Sequence, residues 1–249
     1  MRIAVVFFVS LYLLFSDTFA TDVTVGVFVH APLVQQITKT SEPSGPTIDY
    51  ITAVLKEMGY TPVISILPLR RILAGLQSGD IDITLEIGIS AERKTYLYYP
   101  NKPIYISKPS ITVLATNKLI CINSIDDLRG MRIGYLAGAE LGGFFRNAPD
   151  VKFELISGDT WLRQNLEKLL AGRIDAAFDQ NNVSYLDEAK KMGIVDKIKT
   201  IPLPGTGNEG YIVFSKKSPI GKDLVDAFNR VAATGKYDEN KIIDDYMKR

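Results

Sequence analysis

The sequence predicts the α/β fold class, arranged in two similar lobes, on three observations. Patterns typical of helices and of strands alternate along the chain, which indicates mostly parallel sheets with helices on their faces. Proline-rich and glycine-rich stretches interrupt this alternation at 100–109 and 204–210. The pattern L-x-x-G-x-I-D-x-x-x-acid occurs at 76–86 and again at 169–179. Chance is the alternative explanation for this repeat, because helix–glycine–strand turns are common.

The first half of the chain gives the clearest local signals. Apolar residues predict a strand at Val23–Val29, a helix from Thr47 that Gly59 ends, and a strand at Pro62–Leu67. The repeat unit then adds a helix that ends at Gly79 and a strand at Ile81–Ile87. Each strand should place its following loop at one edge of the sheet, where open α/β sheets bind ligands.

One arginine sits unfavourably in the next predicted helix. Ser90 is a good N-cap and Glu92 suits the positive helix end, but Arg93 in the same turn opposes the helix dipole. This placement costs roughly 0.3–1 kcal/mol. We therefore expect Arg93 to meet an anion outside its own helix, and a ligand carboxylate is our hypothesis. The alternative is a solvated arginine on the helix surface.

In the second half the alternation resumes after the first break. Ser124 and Asp127 predict a capping box. The remaining predicted elements are strands at Ile111–Ala115, Met131–Leu136, Val151–Ile156, Arg173–Phe178, Lys197–Leu203 and Tyr211–Ser215, and helices at Leu141–Arg146, Thr160–Ala171, Val183–Met192, Pro219–Ala233 and Glu239–Met247.

Composition excludes several classes of protein. The 249 residues are 46% hydrophobic and 23% charged, which is ordinary for a globular protein and argues against disorder or a coiled coil. A net charge of +1 implies no nucleic-acid or membrane-surface partner. The single cysteine, Cys121, allows no internal disulfide and is predicted to be a small buried hydrophobe. With one histidine and no phosphate loop, we expect no metal and no cofactor.

The first twenty residues predict a signal peptide. Arg2 provides the positive start, residues 3–15 the apolar stretch, and Thr18-Phe19-Ala20 the cleavage site. No cysteine lies next to this site, so we expect a protein that is exported without a lipid anchor. No later stretch is long and apolar enough to span a membrane.

In combination, four motifs resemble those of bacterial extracellular solute-binding proteins of the polar amino acid class, which have the type II periplasmic binding protein fold. They are T-I-D-Y-I-T-A-V-L-K-E-M-G-Y at 47–60, the run 73–82, I-S-A-E-R-K at 89–94 and G-R-I-D-A-A at 172–177. The resemblance implies two Rossmann-like lobes joined by a two-strand hinge that closes on a ligand. Lobe 1 would comprise residues 21–106 and 211–249, lobe 2 residues 112–204, and the hinge crossovers 107–111 and 205–210.

The resemblance also implies ligand contacts. Arg93 falls on the arginine that holds the α-carboxylate of the ligand, in agreement with the dipole argument. Gly88 and Ser90 fall on positions whose backbone or hydroxyl groups reach the same ligand. Leu69 stands where the family usually has an aromatic residue, so the aromatic cover of the ligand is missing there.

Two further departures concern the opposite side of the expected cleft. The acid that pairs with a ligand ammonium would align at Gln180, and Asp179 comes one place early. The usual Ser-Gly-Thr turn appears as Ala-Gly-Ala around Gly138, which lacks the hydroxyl groups. These departures leave the identity of the solute open.

Other candidates follow from position alone. Glu86 and Asp179 end their predicted strands and are either acids of the cleft or solvated strand ends. Arg71 opens a helix against the dipole, beside Arg70, so one of the two faces the cleft or covers apolar surface with its stem. His30, in the loop after the first strand, and Tyr105, near the crossover, are further candidates. Trp161 is predicted to be a packing residue.

We therefore expect an exported periplasmic protein, active as a monomer, that captures a small polar carboxylate-bearing solute for an inner-membrane ABC permease. We expect no enzymatic activity. One alternative is a lyase or dehydratase acting on a small carboxylic acid, with Glu86, Glu140 or Asp179 as general acid. Another is a ligand-sensing protein that signals to a membrane receptor.

Overall fold

The computed structural model describes residues 21–36, 40–146, 148–205 and 207–247. The predicted signal peptide lies outside these ranges. The strands are β1 Thr21–Val27, β2 Tyr60–Ile66, β3 Ile83–Ile87, β4 Leu97–Tyr98, β5 Tyr105–Ser107, β6 Ser110–Leu114, β7 Arg132–Leu136, β8 Lys152–Ile156, β9 Ala176–Asp179, β10 Ile198–Pro202 and β11 Asn208–Ser215. The helices are α1 Pro46–Glu57, α2 Leu69–Ser78, α3 Ala91–Tyr96, α4 Trp161–Leu170, α5 Ser184–Met192, α6 Gly221–Ala233 and α7 Glu239–Met247.

The strands form two sheets, so the predicted α/β fold class is confirmed. In the first sheet the order is β2-β1-β3-β11-β4, with β5 paired to β11. β1 runs parallel to β2 and β3, whereas β11 is antiparallel to β3, β4 and β5. The second sheet has the order β10-β6-β9-β7-β8. β7 is parallel to β8 and β9, and β6 is antiparallel to β9 and β10.

Both sheets are therefore mixed, and the prediction of mostly parallel sheets is wrong. The strands that carry the chain between the sheets cause the difference. β6 and β10 run in opposite directions beside each other, as do β5 and β11. The chain passes between the sheets at 108–109, after β5, and again after β10, and these passages contain Pro109 and Pro204. The predicted hinge ranges overlap these passages, and their limits remain predictions.

A glycine accounts for another difference between the predicted and the observed secondary structure. The helix predicted at Leu141–Arg146 is a short 3-10 turn at Gly143–Phe145. Gly142 precedes this turn with φ of 76°, a left-handed conformation that glycine adopts without the penalty of a Cβ atom. An α-helix therefore cannot extend through this position, and the segment forms a loop at the edge of the second sheet.

Two groups of buried apolar residues hold the fold together. One lies between the first sheet and helices α1 and α6, and includes Val25, Ile51 and Phe228. The other packs α2 on the opposite side of the first sheet and continues into the second sheet, where it includes Trp161 and Phe178. Within the described ranges, no helix has the length and apolar character needed to cross a membrane.

Candidate ligand-binding cleft

A cavity of about 830 Å³ lies between the two sheets. The loops that follow β1, β3, β7 and β9 meet there, as expected for the carboxyl ends of strands in α/β sheets. Most of the predicted site residues line the cavity: His30, Leu69, Glu86, Gly88, Ser90, Arg93, Tyr105, Gly138 and Asp179. They are contributed by both sheets, so the cavity is a cleft between the two halves of the molecule.

Arg93 extends across this cleft. The side chain of Ser90 caps α3 by accepting a hydrogen bond from the Arg93 backbone nitrogen at 3.3 Å. Arg93 is 5% exposed, and its Nη1 donates to the Gly88 carbonyl at 3.1 Å. Its Nη2 donates to the carbonyl of Gly138, on the second sheet's side, at 2.7 Å. A guanidinium in this position offers further N–H donors to a ligand in the cleft.

Glu140 is the acid that faces Arg93. Its Oε1 lies 3.6 Å from Arg93 Nε, and its side chain is 41% exposed. Its backbone carbonyl accepts hydrogen bonds from the Tyr135 hydroxyl at 2.7 Å and from Gln180 Nε2 at 2.6 Å. Asn208 Nδ2 donates in turn to Gln180 Oε1 at 2.5 Å. Gln180 therefore anchors the loop that carries Glu140.

His30 connects the two sheets through a pair of acids. Its Nδ1 lies 2.7 Å from Glu86 Oε2, and its Nε2 lies 3.1 Å from Asp179 Oδ2. The histidine and both carboxylates are nearly inaccessible to water. Burial by itself lowers the pKa of His30, but the carboxylates of Asp179 and Glu86 outweigh it and raise the pKa of His30 from 6.5 to about 10. The ring is therefore an imidazolium between two acids.

Several neighbours fix this histidine in place. Glu86 has φ of 62°, an unusual backbone conformation for a residue other than glycine, and its Oε1 accepts a hydrogen bond from the Thr47 hydroxyl at 2.9 Å. The Phe28 ring stacks on the imidazole at 5.7 Å between centroids. Strained backbone at a cleft, held by surrounding contacts, is typical of a functional site.

Trp161 also packs near the His30 ring. Its indole Nε1 donates a hydrogen bond of 2.9 Å to the carbonyl of Val29, the residue before His30. Its ring lies 5.9 Å from the imidazole, and the residue is 1% exposed. The predicted packing residue therefore also ties the second sheet to the first.

Tyr105 and Tyr99, two aromatic residues at the cleft, each lie close to the backbone of a glycine. A Cβ atom on Gly210 would collide with the ring of Tyr105, so glycine leaves the space in which that ring lies. The Tyr99 hydroxyl donates to the Gly88 carbonyl at 3.1 Å, and burial raises the pKa of Tyr99 to about 12. Leu69 is 3% exposed and provides an apolar wall beside Gly138.

Two predicted positions lie elsewhere. Arg71 lines a separate concavity of about 580 Å³ beside Val63 and Asp80, and the structure does not bring it to the cleft. Arg70 is the arginine that approaches the cleft, because its Cγ would lie 3.0 Å from a Cβ atom on Gly138. Cys121 is exposed, so its prediction as a small buried hydrophobe is wrong. Among the described residues no cluster of histidine, cysteine and acids suits a metal ion.

Sequence reasoning missed some residues that shape the cleft. Phe28, Thr47 and Asn208 act through contacts with His30, Glu86 and Gln180, as described above. Their only signal in the sequence is proximity to a strand end, a helix start or a glycine-rich turn, which many residues share. Their roles follow from long-range packing.

The fold and the cleft define a two-sheet binding protein of the periplasmic type. The chain belongs to the family described as bacterial extracellular solute-binding proteins, family 3, whose model matches residues 23–248. The resemblance inferred from the sequence is thereby confirmed. No curated protein sequence matches the chain.

Solved structures share the fold at low identity. The substrate-binding protein of an amino acid ABC transporter is 22% identical with a TM-score of 0.72, and the match covers 92% of this chain and 100% of that one. An ancestral arginine-binding protein bound to glutamine is 21% identical with a TM-score of 0.74 and coverages of 92% and 98%. The amino acid transporter substrate-binding protein AbpA from Streptococcus pneumoniae, bound to L-arginine, is 17% identical with a TM-score of 0.73 and coverages of 91% and 94%.

Proposed function

We propose that this protein captures a small carboxylate-bearing solute in the cleft and presents it to an inner-membrane ABC permease. The observation that carries the proposal is the buried guanidinium of Arg93, which faces the cavity and spans it to Gly138. A planar guanidinium binds a carboxylate through two parallel hydrogen bonds, which gives both affinity and orientation. The structural relatives named above, which include proteins of amino acid ABC transporters, support this class of solute.

Binding and closure are coupled in this proposal. Arg93, His30 and Trp161 each contact the opposite side of the cleft, so a solute held between the sheets adds to contacts that favour the closed arrangement. A ligand shifts an equilibrium only by its differential affinity for the two states. In this proposal Arg93 provides the difference in affinity between the open and closed states. Its guanidinium is held by the carbonyls of Gly88 and Gly138 together only when the cleft is closed.

The remaining parts of the proposal concern export from the cytoplasm, the division of the chain into lobes, and delivery of the solute. Residues 1–20 direct export and are cleaved, the product acts in the periplasm without a lipid anchor, and it works as a monomer without catalysing a reaction. Lobe 1 is formed by residues 21–106 and 211–249, and lobe 2 by residues 112–204. The solute-loaded form is the one that the permease receives.

The test begins with the native solute. Protein purified from the periplasm without denaturation is examined by native mass spectrometry, and the released solute is titrated back by calorimetry. Arg93→Gln should weaken its binding at least tenfold, because a hydrogen-bonded charge pair of roughly 1.5–3 kcal/mol is lost. Arg163→Gln, which removes a surface pair with Glu188, is the matched control and should leave affinity unchanged.

Three results would contradict the proposal. If Arg93→Gln bound the solute with an affinity within twofold of the wild type, Arg93 would not be the residue that holds the carboxylate. Conversion of the solute to a new product would support the lyase alternative. Loss of a transcriptional or receptor response in a deletion strain, with uptake of the solute unchanged, would support the sensing alternative.

A further inference from the structure

Two acids of the cleft, Glu86 and Asp179, are already paired with a cation that belongs to the protein. Glu86 and Asp179 come from different sheets: Glu86 is the residue before the end of β3, and Asp179 ends β9. There they would be available to a positively charged group of a solute. Instead, the imidazole of His30 lies between them at 2.7 and 3.1 Å. Carboxylates accept hydrogen bonds, so both ring nitrogens must donate, and a histidine that donates from both nitrogens is charged.

This pairing is built into the fold. The rings of Phe28 and Trp161 both pack against the imidazole, and the Thr47 hydroxyl donates to the second oxygen of Glu86. His30 is 4% exposed and Asp179 is 2% exposed. His30 Nε2 lies 3.2 and 3.1 Å from the two carboxylate oxygens of Asp179, so a solute ammonium that paired with Asp179 would compete with the imidazolium for the same oxygens. Leaving the imidazolium unpaired is costly in a buried site.

Of the two arginines in the described lining of the cleft, Arg146 is exposed and Arg93 is buried, so the positive charge held inside the cleft for a solute is on Arg93. Its nearest acid, Glu140, is at 3.6 Å, and its side chain is partly exposed, so it can turn toward water when a solute carboxylate arrives. The cleft therefore offers a site for a negative group at Arg93, whereas the acid pair of Glu86 and Asp179 is neutralised in part by His30. Selectivity is a difference between the affinities for two solutes, and this arrangement lowers the affinity for a solute that carries an ammonium group.

We propose that His30 is a specificity-determining residue that takes the place of a solute cation, so that the cleft selects carboxylates without an ammonium group over α-amino acids. The inference rests on the proposed function and narrows the class of solute. It makes a difference that can be measured with matched pairs, each consisting of an organic acid and the amino acid with the same carbon skeleton.

The binding experiment uses glutarate with L-glutamate, succinate with L-aspartate, and 4-methylpentanoate with L-leucine, each titrated by calorimetry against the wild type and His30→Gln. In the wild type the preferred acid should bind at least tenfold more tightly than its amino acid partner. His30→Gln should reverse or abolish that preference, because the acid pair is then open to an ammonium. Wild-type binding of an amino acid as tight as that of its partner would overturn the inference.

A second variant protects the test from a folding defect. His30→Gln leaves two buried acids without their cation, so His30→Gln combined with Asp179→Asn removes one negative charge as well. This double variant should fold, as judged by thermal unfolding, and should bind acid and amino acid with no more than a twofold difference. Retention of the wild-type preference in the double variant would overturn the role of His30.

The only histidine of the chain provides a direct readout. In protein labelled with ¹⁵N-histidine, the two ring nitrogens should show the shifts of an imidazolium at pH 8, before and after addition of the preferred acid. A neutral ring at pH 8 would contradict the inference. The test of Arg93 is separate. Unchanged solute binding in Arg93→Gln, with a charged His30 ring retained, would count against the proposed function. An amino acid bound through Arg93 as tightly as its matched acid would count against this inference alone.

Discussion

The guanidinium of Arg93 donates a hydrogen bond to the carbonyl oxygen of Gly138 at 2.7 Å, and this bond joins a helix of the first sheet to a loop of the second. The two residues are 45 positions apart in the chain. Arg93 is the third residue of the six-residue helix α3, and its guanidinium is met by a carbonyl from the opposite side of the cleft. The conformation of the cleft and the position of its cation are therefore linked.

Removal of the acid beside Arg93 should strengthen the binding of carboxylates. In Glu140→Gln the solute no longer competes with an ion pair, and a partly exposed pair of this kind is worth roughly 0.3–1 kcal/mol. Affinity for the native solute should rise about twofold to fivefold, measured by calorimetry at low salt. Weaker binding in this variant would mean that Glu140 contacts the solute itself.

Trp161 should report closure of the cleft by fluorescence. It is the only tryptophan of the chain, and its indole is buried with a hydrogen bond to Val29. Asp179→Asn weakens the contact with His30 and should open the cleft, which exposes the indole and shifts its emission to longer wavelength. Solute should reverse the shift. An unchanged emission in a variant whose radius of gyration has increased would contradict the use of Trp161 as a reporter of closure. Trp161→Phe removes the only tryptophan and gives the background fluorescence.

His30 should make stability depend on pH in the alkaline range. The groups packed against its ring are the carboxylates of Glu86 and Asp179 and the rings of Phe28 and Trp161. The pKa of His30 in the folded protein, about 10, is above its ordinary value of 6.5. The stabilisation is therefore complete below pH 6.5 and is lost as the pH rises toward 10.

The measurement compares urea unfolding of the wild type and His30→Gln between pH 6.5 and 10. The difference between their free energies of unfolding should decrease steadily over this interval, and other groups that titrate there cancel in the comparison. A difference that stays constant with pH would show that the ring does not change its charge on unfolding.

Gly134→Ala should destabilise the second sheet. A Cβ atom at this position on β7 would collide with the side chain of the fully buried Asn165 and lie 2.8 Å from Ile174 Cδ1. Overpacking of this kind costs about 1–3 kcal/mol of the free energy of unfolding. Gly143→Ala, where no atom lies within 4 Å, is the control and should remain near the wild type. Equal stability of the two variants would contradict the packing around Gly134.

The sequence predicted the elements well where periodicity is strong and glycine marks an end. Gly79 and Gly193 end their helices in left-handed conformations, as expected, and Ser124 and Asp127 form the predicted capping box. The mixed direction of the strands was not predictable in the same way. Strand direction depends on where the chain passes between the sheets, and local periodicity contains no such information.

The cleft was predictable only in part. The unfavourable position of Arg93 indicated an anion elsewhere, and Glu140 is the acid that the structure places beside it. His30 was a candidate without a partner, because its two acids are 56 and 149 residues away in the chain. Pairing across such distances is decided by packing of the whole molecule, which local patterns in the sequence do not reveal.

The two passages between the sheets have a consequence for how such proteins diversify. Ser107 is paired with Asn208 on one side of the passages, and Ser110 with Pro202 on the other. The two ends of the segment 110–202 are thus neighbours in space, and the segment forms a cassette that connects to the rest of the chain at one place. Exchange of this cassette between relatives would replace Gly138, Glu140 and Asp179 together, and Arg93 would face a new opposite wall after a single recombination event.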